Sequence, residues 1–203
     1  MTTLLEAREV TKSVGGGLLD RRHTIALRGF SLELGEGRPS VTAVVGESGS
    51  GKTTLARLLL GLLTPTEGRV AYRGRDLTTL SRAEWRTFRR EVQAVFQDPY
   101  SSLNPRLTIR TTVSEPLIET QPGLSKTEVD ERIAASLTRV GLRPRIASDY
   151  PHELSGGQRQ RVALARALTT NPECILLDEA VSALDVSIRA QVMNILREIQ
   201  DQL

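Results

Sequence analysis

Apolar residues occur along the chain in two spacings, which predict strands and helices in turn. The segments from Leu4 to Val10 and from Thr24 to Leu34 alternate in part between apolar and polar side chains, which is typical of half-buried strands. The run from Val41 to Val45 is short, β-branched and apolar on both faces, which indicates a buried parallel strand. A helix is predicted from about Lys52 to Leu63, because a Thr-Pro pair and then a glycine follow it.

The middle of the chain repeats this order of strand and helix. Val70 to Tyr72 is predicted as a short strand. Ser81 to Arg90 is predicted as a helix, since Ser81 and Glu84 have the spacing of a capping box. Val92 to Phe96 returns to a strand pattern.

The region from Pro99 to about Pro151 differs, because it contains several prolines and a predicted helix from Lys126 to Val140. It is interpreted as an insertion between two halves of an α/β core. After it come a helix from Gln158 to Thr169, an apolar strand from Cys174 to Leu177 and a helix from about Ser187 to the end. This alternation predicts a mostly parallel sheet with helices on both faces.

Composition restricts the class of protein. The chain has 203 residues, of which 39% are hydrophobic and 25% charged, as in an ordinary soluble globular protein. The N-terminus lacks the apolar stretch of a secretory signal, and Leu55 to Leu63 is too short to span a bilayer, so no membrane crossing is expected. One cysteine, Cys174, excludes an internal disulfide and fits a reducing compartment. The net charge of +3 comes from scattered arginines without a basic stripe among aromatics, so nucleic-acid binding is not expected.

The segment from Gly46 to Thr53 fits the phosphate-binding loop pattern, also called Walker A. Its glycines allow successive N–H groups to point at phosphate oxygens, and the following helix adds the positive end of its dipole. Lys52 is predicted to reach the β- and γ-phosphates of a nucleotide, and Thr53 to ligate Mg²⁺ through its hydroxyl. The alternative, a Gly-Ser turn, is disfavoured because the segment lies between a predicted strand and a predicted helix.

A second motif, from Ile175 to Glu179, places two acids after an apolar strand, which is the Walker B pattern. Both acids would emerge at the carboxyl edge of the sheet, where α/β folds bind ligands. Asp178 is predicted to hold Mg²⁺, and Glu179 to orient or deprotonate the attacking water. An Asp-Glu pair by itself could instead cap a helix, and the phosphate loop upstream is what favours catalysis.

A third motif, from Leu154 to Gln158, precedes an amphipathic helix. Ser155 and Gln158 have the spacing of a capping box, so a purely structural role is one interpretation. Gly156 and Gly157 favour another, because a glycine costs about 1 kcal/mol within a helix. Their bare N–H groups at a helix start would suit a γ-phosphate.

The sequence Leu-Ser-Gly-Gly-Gln is the ABC signature, and its order after Walker A and before Walker B resembles that of ABC ATPases over nearly the whole chain. The resemblance implies an α/β P-loop NTPase (RecA-like) fold, with a mostly parallel sheet, an N-terminal antiparallel β subdomain and an inserted α-helical subdomain. It divides the chain into an N-terminal core part (1–97), the helical subdomain (98–153) and a part with the signature helix, Walker B and D-loop (154–203).

The same resemblance implies ATP and Mg²⁺ as cofactors and a head-to-tail dimer with a second ABC ATPase subunit. In that dimer the signature contacts the γ-phosphate held by the partner's Walker A, and the D-loop reaches across. The implied catalytic residues are Glu179, Lys52 and the Q-loop glutamine Gln97. The implied metal ligands are Thr53, Gln97 and Asp178. The implied nucleotide contacts are Gly46, Ser48, Gly49, Ser50, Gly51, Lys52, Thr53, Thr54, Ser155, Gly156, Gly157, Gln158 and Asp185.

The segment from Phe96 to Arg106 is similar to the Q-loop region of peptide and nickel importer ATPases, particularly the second of their two ATPase subunits. Read locally, its Asp-Pro and Asn-Pro steps would be turns only. The match implies an ATP-hydrolysing importer subunit for peptides or nickel, peripheral on the cytoplasmic face of the inner or plasma membrane. It also implies two permease subunits contacted through the Q-loop region, and an extracytoplasmic substrate-binding protein as an indirect partner.

Two departures from the family pattern bear on function. Val14 stands where many ABC ATPases have an aromatic residue that stacks on adenine. No histidine matches the family's switch histidine, and His152 is interpreted as a structural neighbour of the signature loop. The chain is therefore expected to be truncated after Leu203, to bind ATP weakly and to hydrolyse it poorly alone. A catalytically impaired fragment and a soluble, non-transport ABC ATPase stay open as alternatives.

Overall fold

The computed structural model describes residues 3–15, 24–36, 40–96 and 103–178. These residues divide into two compact units, one up to Trp85 and the other from Arg86. The domain boundaries implied by the resemblance stay a prediction. The predicted helix from Ser187 lies outside the described residues.

The first unit is built on a four-stranded antiparallel sheet in the order β2-β1-β3-β4. Its strands are β1 (Thr3–Val14), β2 (Thr24–Gly35), β3 (Glu67–Tyr72) and β4 (Arg75–Asp76). The three predicted strand segments that correspond to β1, β2 and β3 are confirmed. Leu5 of β1 pairs with β2 on one side and β3 on the other and is fully buried, which makes β1 the centre of this sheet.

Helix α1 (Lys52–Leu59) buries Leu55, Leu58 and Leu59 and contacts β1 and β2. Each buried leucine contributes roughly 1.5–3 kcal/mol, so this face anchors the helix on the sheet. The helix ends four residues before the predicted Leu63. The reason is local: Gly61 has a φ of 66°, and the N–H of Leu62 turns back to the carbonyl of Arg57 at 2.8 Å.

The segment from Val41 to Val45 contradicts its prediction as a buried parallel strand. It forms no strand, and Val41 and Val45 are 77% and 92% exposed. A strand exists only where a neighbour completes its hydrogen-bond ladder, and no strand within the described ranges pairs with this segment. The apolar pattern was wrong here because it carries no information about that neighbour.

Helix α2 (Arg82–Glu91) begins as predicted at a capping box. The Ser81 N–H donates to Glu84 Oε2 at 2.9 Å, and the Glu84 N–H donates to Ser81 Oγ at 3.3 Å. Hydrogen bonds from the Ser81 side chain and backbone lower the pKa of the Glu84 carboxyl. The cap is therefore a charge-assisted one.

The second unit contains a two-stranded parallel sheet. Its strands are β5 (Val92–Val95) and β6 (Cys174–Leu177), which pair from Val92 with Cys174 to Val95 with Leu177. Both predicted strands are confirmed. A parallel pair needs a long crossover, and here the crossover contains the helices of this unit.

Three helices form most of the second unit: α3 (Ile109–Thr120), α4 (Lys126–Arg139) and α5 (Gly156–Leu168). Short 3₁₀ turns at Pro144–Ser148 and Pro151–Glu153 join α4 to α5. The predicted helices that correspond to α4 and α5 are confirmed. Their apolar faces meet in one core whose members include Val113, Leu117, Ile133, Leu137, Val162 and Leu164.

Within the described part of the chain, no helix has the length and apolar character needed to cross a membrane.

Candidate nucleotide site

The phosphate-binding loop leads into α1 within the first unit. The Lys52 ammonium donates to the carbonyl oxygens of Gly46 at 2.8 Å and Glu47 at 2.7 Å. The Ser50 N–H donates to the Glu47 carbonyl at 3.2 Å, which closes a turn inside the loop. The loop therefore curls around the lysine ammonium group while residues 46–50 stay exposed.

Two glycines set the backbone of this loop. Gly49 and Gly51 have φ angles of 81° and 93°, a region that residues with a Cβ rarely adopt. A Cβ on Gly51 would also collide with the carbonyl oxygen of Ala26 on β2, whereas a Cβ on Gly49 would meet open space. Close approach of Gly51 to β2 thus fixes where the loop ends and α1 begins.

The chemistry of the loop fits a phosphate group. The N-cap of α1 is Gly51, which has no side chain to accept hydrogen bonds from the first turn. Helix N-termini of this kind stabilise anions through their N–H groups and their dipole. A phosphate oxygen would compete with the Gly46 and Glu47 carbonyls for the Lys52 ammonium. The loop can therefore exchange an internal lysine contact for a ligand contact.

The signature motif lies at the start of α5 in the second unit. Ser155 Oγ accepts a hydrogen bond from the Gln158 N–H at 3.3 Å, and Gln158 Oε1 accepts one from the Ser155 N–H at 2.9 Å. The predicted capping box is confirmed. Ser155 is nevertheless exposed, and Gly156 and Gly157 are half-buried, so the cap does not hide the motif from solvent. A structural role and a ligand-binding role are compatible here.

The segment before the signature is held by contacts that the sequence did not reveal. Arg159 Nε donates to the carbonyl of Pro151 at 2.7 Å, which ties the preceding 3₁₀ turn to α5. The rings of Tyr150 and His152 stack with their centroids 5.6 Å apart. His152 lies in the turn that precedes the signature, and its interpretation as a structural neighbour of the signature loop stays a prediction. In the sequence, the contact of Arg159 with Pro151 is indicated only by the position of Arg159, four residues after the N-cap Ser155.

Asp178 follows β6 at the carboxyl end of the parallel pair. Its N–H donates to the Val95 carbonyl at 3.0 Å, which extends the ladder by one residue. The residue is 8% exposed, and a carboxylate in such a place is stabilised by hydrogen bonds or by a cation. At the other end of β6, burial raises the pKa of the Cys174 thiol to about 11, which disfavours the thiolate needed in a nucleophile.

The predicted site residues are distributed over both units. Residues 46–54 belong to the first unit, and the signature residues 155–158 and Asp178 belong to the second. Gln97, Glu179 and Asp185 lie outside the described residues. In the ranges that the structure describes, no three His, Cys, Asp or Glu side chains cluster as a metal site.

A comparison with protein families agrees with the order of these motifs. The family model described as ABC transporter matches residues 27–182, a range that contains the phosphate loop, the signature and the Walker B acids. The chain belongs to the ABC transporter family.

Curated relatives are similar along most of this chain. The oligopeptide transport ATP-binding protein OppF of Salmonella typhimurium is 49% identical over 178 residues, which cover 88% of this chain and 53% of that protein. The oligopeptide transport ATP-binding protein AppF of Bacillus subtilis is 46% identical over 205 residues, which cover 98% of this chain and 61% of that protein. The chain thus spans about half to three-fifths of the length of these relatives.

A solved structure shows the fold class. The chain is similar to the dimeric, post-hydrolysis structure of the ATP-binding cassette MJ0796 bound to ADP and Pi, with a TM-score of 0.82 and 33% identity. The similarity covers 98% of this chain and 84% of that chain. The fold is therefore that of an ABC ATPase cassette, a P-loop NTPase with an antiparallel N-terminal sheet and helical segments, as the motifs predicted.

Proposed function

We propose that this chain is the ATP-binding and ATP-hydrolysing part of an ABC importer for peptides. The observation that carries the proposal is the exposed phosphate loop, two of whose carbonyl groups hold Lys52 at the half-buried start of α1. The two relatives, OppF and AppF, are oligopeptide transport ATP-binding proteins, which supports peptides as the cargo.

In this proposal Lys52 binds the β- and γ-phosphates of ATP. Positioning and charge stabilisation supply most of the catalysis in phosphoryl transfer. An ammonium group at this point would therefore both bind the phosphates and stabilise the charge that develops on them during the reaction. The N–H groups from Gly46 to Thr54 line the phosphates, and the glycine torsions allow them to converge. Val14, which is 49% exposed, would offer adenine apolar contact only, and another residue that the sequence does not identify is the alternative.

Bound Mg²⁺ would neutralise charge that develops on the phosphates. The Thr53 hydroxyl, the Asp178 carboxylate and the Gln97 amide are its proposed ligands, because hydroxyl and carboxylate oxygens suit a hard cation. Asp178 is supported by its burial at the carboxyl end of a parallel strand. Glu179 is proposed to orient or deprotonate the attacking water.

A second ABC ATPase subunit is the proposed partner in a head-to-tail dimer. Ser155, Gly156, Gly157 and Gln158 would contact the γ-phosphate bound by that subunit, and Asp185 would reach across the interface. The exposed Ser155 at a helix N-terminus supports this, and so does the dimeric structure of the similar cassette MJ0796.

The remaining partners follow from the importer class. Two permease subunits would contact the Q-loop region around Gln97, and an extracytoplasmic substrate-binding protein would act through them. The chain would then work at the cytoplasmic face of the membrane, and nucleic acid is not among its proposed ligands. Nickel is the alternative cargo.

ATP affinity tests the proposal. Lys52→Ala removes the ammonium and is expected to weaken ATP binding, measured by calorimetry, by about tenfold or more. Lys126→Ala, at an exposed position of α4, is the matched control and is expected to leave it unchanged. Equal ATP affinities for the parent and Lys52→Ala would contradict the proposal.

In the assembled transporter, Glu179→Gln is expected to retain ATP binding and abolish hydrolysis.

A further inference from the structure

The second unit contains a cleft of about 540 Å³ that the proposed nucleotide site does not use. The end of α2, one face of α4 and the segment between α5 and β6 form it. Sites for small ligands commonly have volumes of roughly 300–1,000 Å³. The cleft is therefore large enough to be a binding site of its own.

The cleft lies at the opposite end of the parallel strands from Asp178. Its residues Glu91 and Glu173 directly precede β5 and β6, whereas Asp178 directly follows β6. Strands rise about 3.3 Å per residue, so the four residues of each strand separate the two ends by roughly 13 Å. A ligand in this cleft would not reach the metal-binding edge of the sheet.

One face of α4 supplies two arginines to the cleft. Arg132, Ala135, Ser136 and Arg139 are spaced by three and four residues, which puts them on the same side of the helix. Arg132 donates to Gln121 Oε1 at 2.9 Å, which holds its guanidinium in place. Arg139 is half-buried and has no hydrogen bond or ion pair with the described residues. Ala135 and Ser136, which lie between the two arginines on this face, have small side chains.

Among the described residues that line the cleft, the charges leave one positive charge in excess. A third arginine, Arg90, is paired with the buried Glu91 at 2.7 Å, and Glu173 is the second carboxylate. Three guanidinium groups thus face two carboxylates. Arg90 and Arg132 each use some of their N–H donors on a partner, whereas none of the five donors of Arg139 is engaged by a described residue.

The hydroxyl groups of the cleft stabilise its shape rather than bind a ligand. Ser136 donates to the Ile133 carbonyl at 3.0 Å, and Thr169 donates to the Ala165 carbonyl at 2.7 Å. Thr170 donates to the Arg90 carbonyl at 2.9 Å, which ties the end of α5 to the end of α2. The side-chain donors that remain among the described residues of the cleft are those of guanidinium groups and of the Gln121 and Asn171 amides.

We propose that this cleft binds a small oxyanion, a phosphate or carboxylate group, with Arg139 as its direct ligand. The planar guanidinium group offers two parallel N–H donors that match two oxygens of either anion. Arg132, fixed by Gln121, adds a second positive charge beside it. The site is independent of the nucleotide and would remain if the proposed function were wrong.

Calorimetric titration with sodium phosphate and with sodium malonate, at constant ionic strength, tests the inference. The comparison uses the purified parent chain and four variants: Lys52→Ala, Arg139→Gln, Arg132→Gln and Arg145→Gln. Arg145 is an exposed arginine outside the cleft and serves as the charge-matched control. Circular dichroism of each variant verifies that its helices are intact.

Arg139→Gln is expected to weaken binding of at least one anion by about tenfold or more, whereas Arg145→Gln changes it by less than about twofold. Lys52→Ala is expected to leave this binding in place. Tighter binding of phosphate or of malonate identifies which anion the cleft prefers. If Arg139→Gln does not fold, Arg132→Gln carries the same expectation with a smaller loss.

Two results would overturn the inference. One is that neither anion binds the parent chain. The other is that Lys52→Ala abolishes the binding while the cleft variants leave it unchanged, because the anion would then belong to the phosphate loop. The second result would support the proposed function while refuting the cleft, so the two proposals can fail separately.

Discussion

The phosphate loop and the signature motif both lie at the start of a helix, but they are positioned by different means. A reciprocal side-chain cap between Ser155 and Gln158 defines the start of α5, and the apolar residues of α5 are buried in the core of its unit. The phosphate loop has no side-chain cap and depends on the torsions of Gly49 and Gly51.

The segments that precede the two motifs differ in the same way. Leu154 before the signature is 6% exposed, whereas Val45 before the phosphate loop is 92% exposed. A capped helix start can thus be specified by four neighbouring residues. A phosphate loop needs a backbone that only glycine adopts and a strand beside it, here β2 at Ala26.

The largest expected effect on stability comes from a substitution that removes packing between α3 and the signature helix α5. Leu117 of α3 is fully buried in the core that contacts α5, and Leu117→Ala is expected to lower the free energy of unfolding by about 2–5 kcal/mol. Its neighbour Ile118 is 53% exposed, and Ile118→Ala is expected to change the free energy of unfolding by less than about 0.5 kcal/mol. Urea denaturation followed by circular dichroism measures both. Equal effects would mean that this core does not support α5.

A smaller effect is expected at the glycine next to β2. Gly51→Ala combines left-handed strain with a collision at the Ala26 carbonyl, so it is expected to destabilise the first unit by about 1–3 kcal/mol and to weaken ATP binding. Gly49→Ala has the same kind of strain and no collision, so its cost is expected to be lower. Denaturation and ATP titration of the pair provide the measurement. A larger loss in Gly49→Ala would refute the role given to β2.

The signature cap gives the third effect. Ser155→Ala removes the acceptor for the Gln158 N–H and is expected to lower the free energy of unfolding by about 1 kcal/mol. Ser155→Asn retains a capping oxygen and is expected to restore most of that stability. If the asparagine variant is stable but impairs ATP-driven dimer formation, measured by light scattering, the structural and ligand-binding roles of Ser155 are separated. Equal instability of both variants would argue that the cap contributes little.

The smallest effect is the pH dependence of the caps. Hydrogen bonds from the Ser125 side chain and backbone lower the pKa of the Glu128 carboxyl at the start of α4. A lowered folded-state pKa adds stability above the ordinary glutamate pKa of about 4.3, and this stability is lost as the pH falls through the folded-state value.

Glu128→Gln retains an acceptor but cannot titrate. Its unfolding free energy is therefore expected to fall less than that of the parent between pH 6 and pH 3, as measured by urea denaturation at each pH. Identical pH profiles for the two proteins would show that this carboxylate does not stabilise the cap.

Local features of the structure were predictable from the sequence. The capping boxes that begin α2 and α5 were recognised from Ser81 and Ser155, each with its Glu or Gln three residues later, because both partners lie within one turn of helix. The sequence pattern predicts the end of α1 at Leu63, which is four residues too far. The pattern of leucines continues past the point where Gly61 reverses the chain.

Features that join residues distant in sequence were harder to predict from the sequence. The run from Val41 to Val45 has the composition of a buried strand and is exposed, because burial depends on a neighbour that the run itself does not encode. No pattern in the sequence predicts the cleft of the second unit. Its arginines Arg90, Arg132 and Arg139 belong to two helices that are far apart in sequence, and no local motif connects them.

The sequence by itself determined the motifs, their order and hence the family, because phosphate binding and helix capping need particular residues at fixed short spacings. It also determined the torsions of the phosphate loop through its glycines. Only the tertiary structure decided that Gly51 abuts β2, that β5 pairs with β6, and that arginines from two helices line one cleft. The physical reason is that burial and charge clustering are properties of surfaces brought together by folding, and such contacts join residues whose separation along the chain carries no pattern.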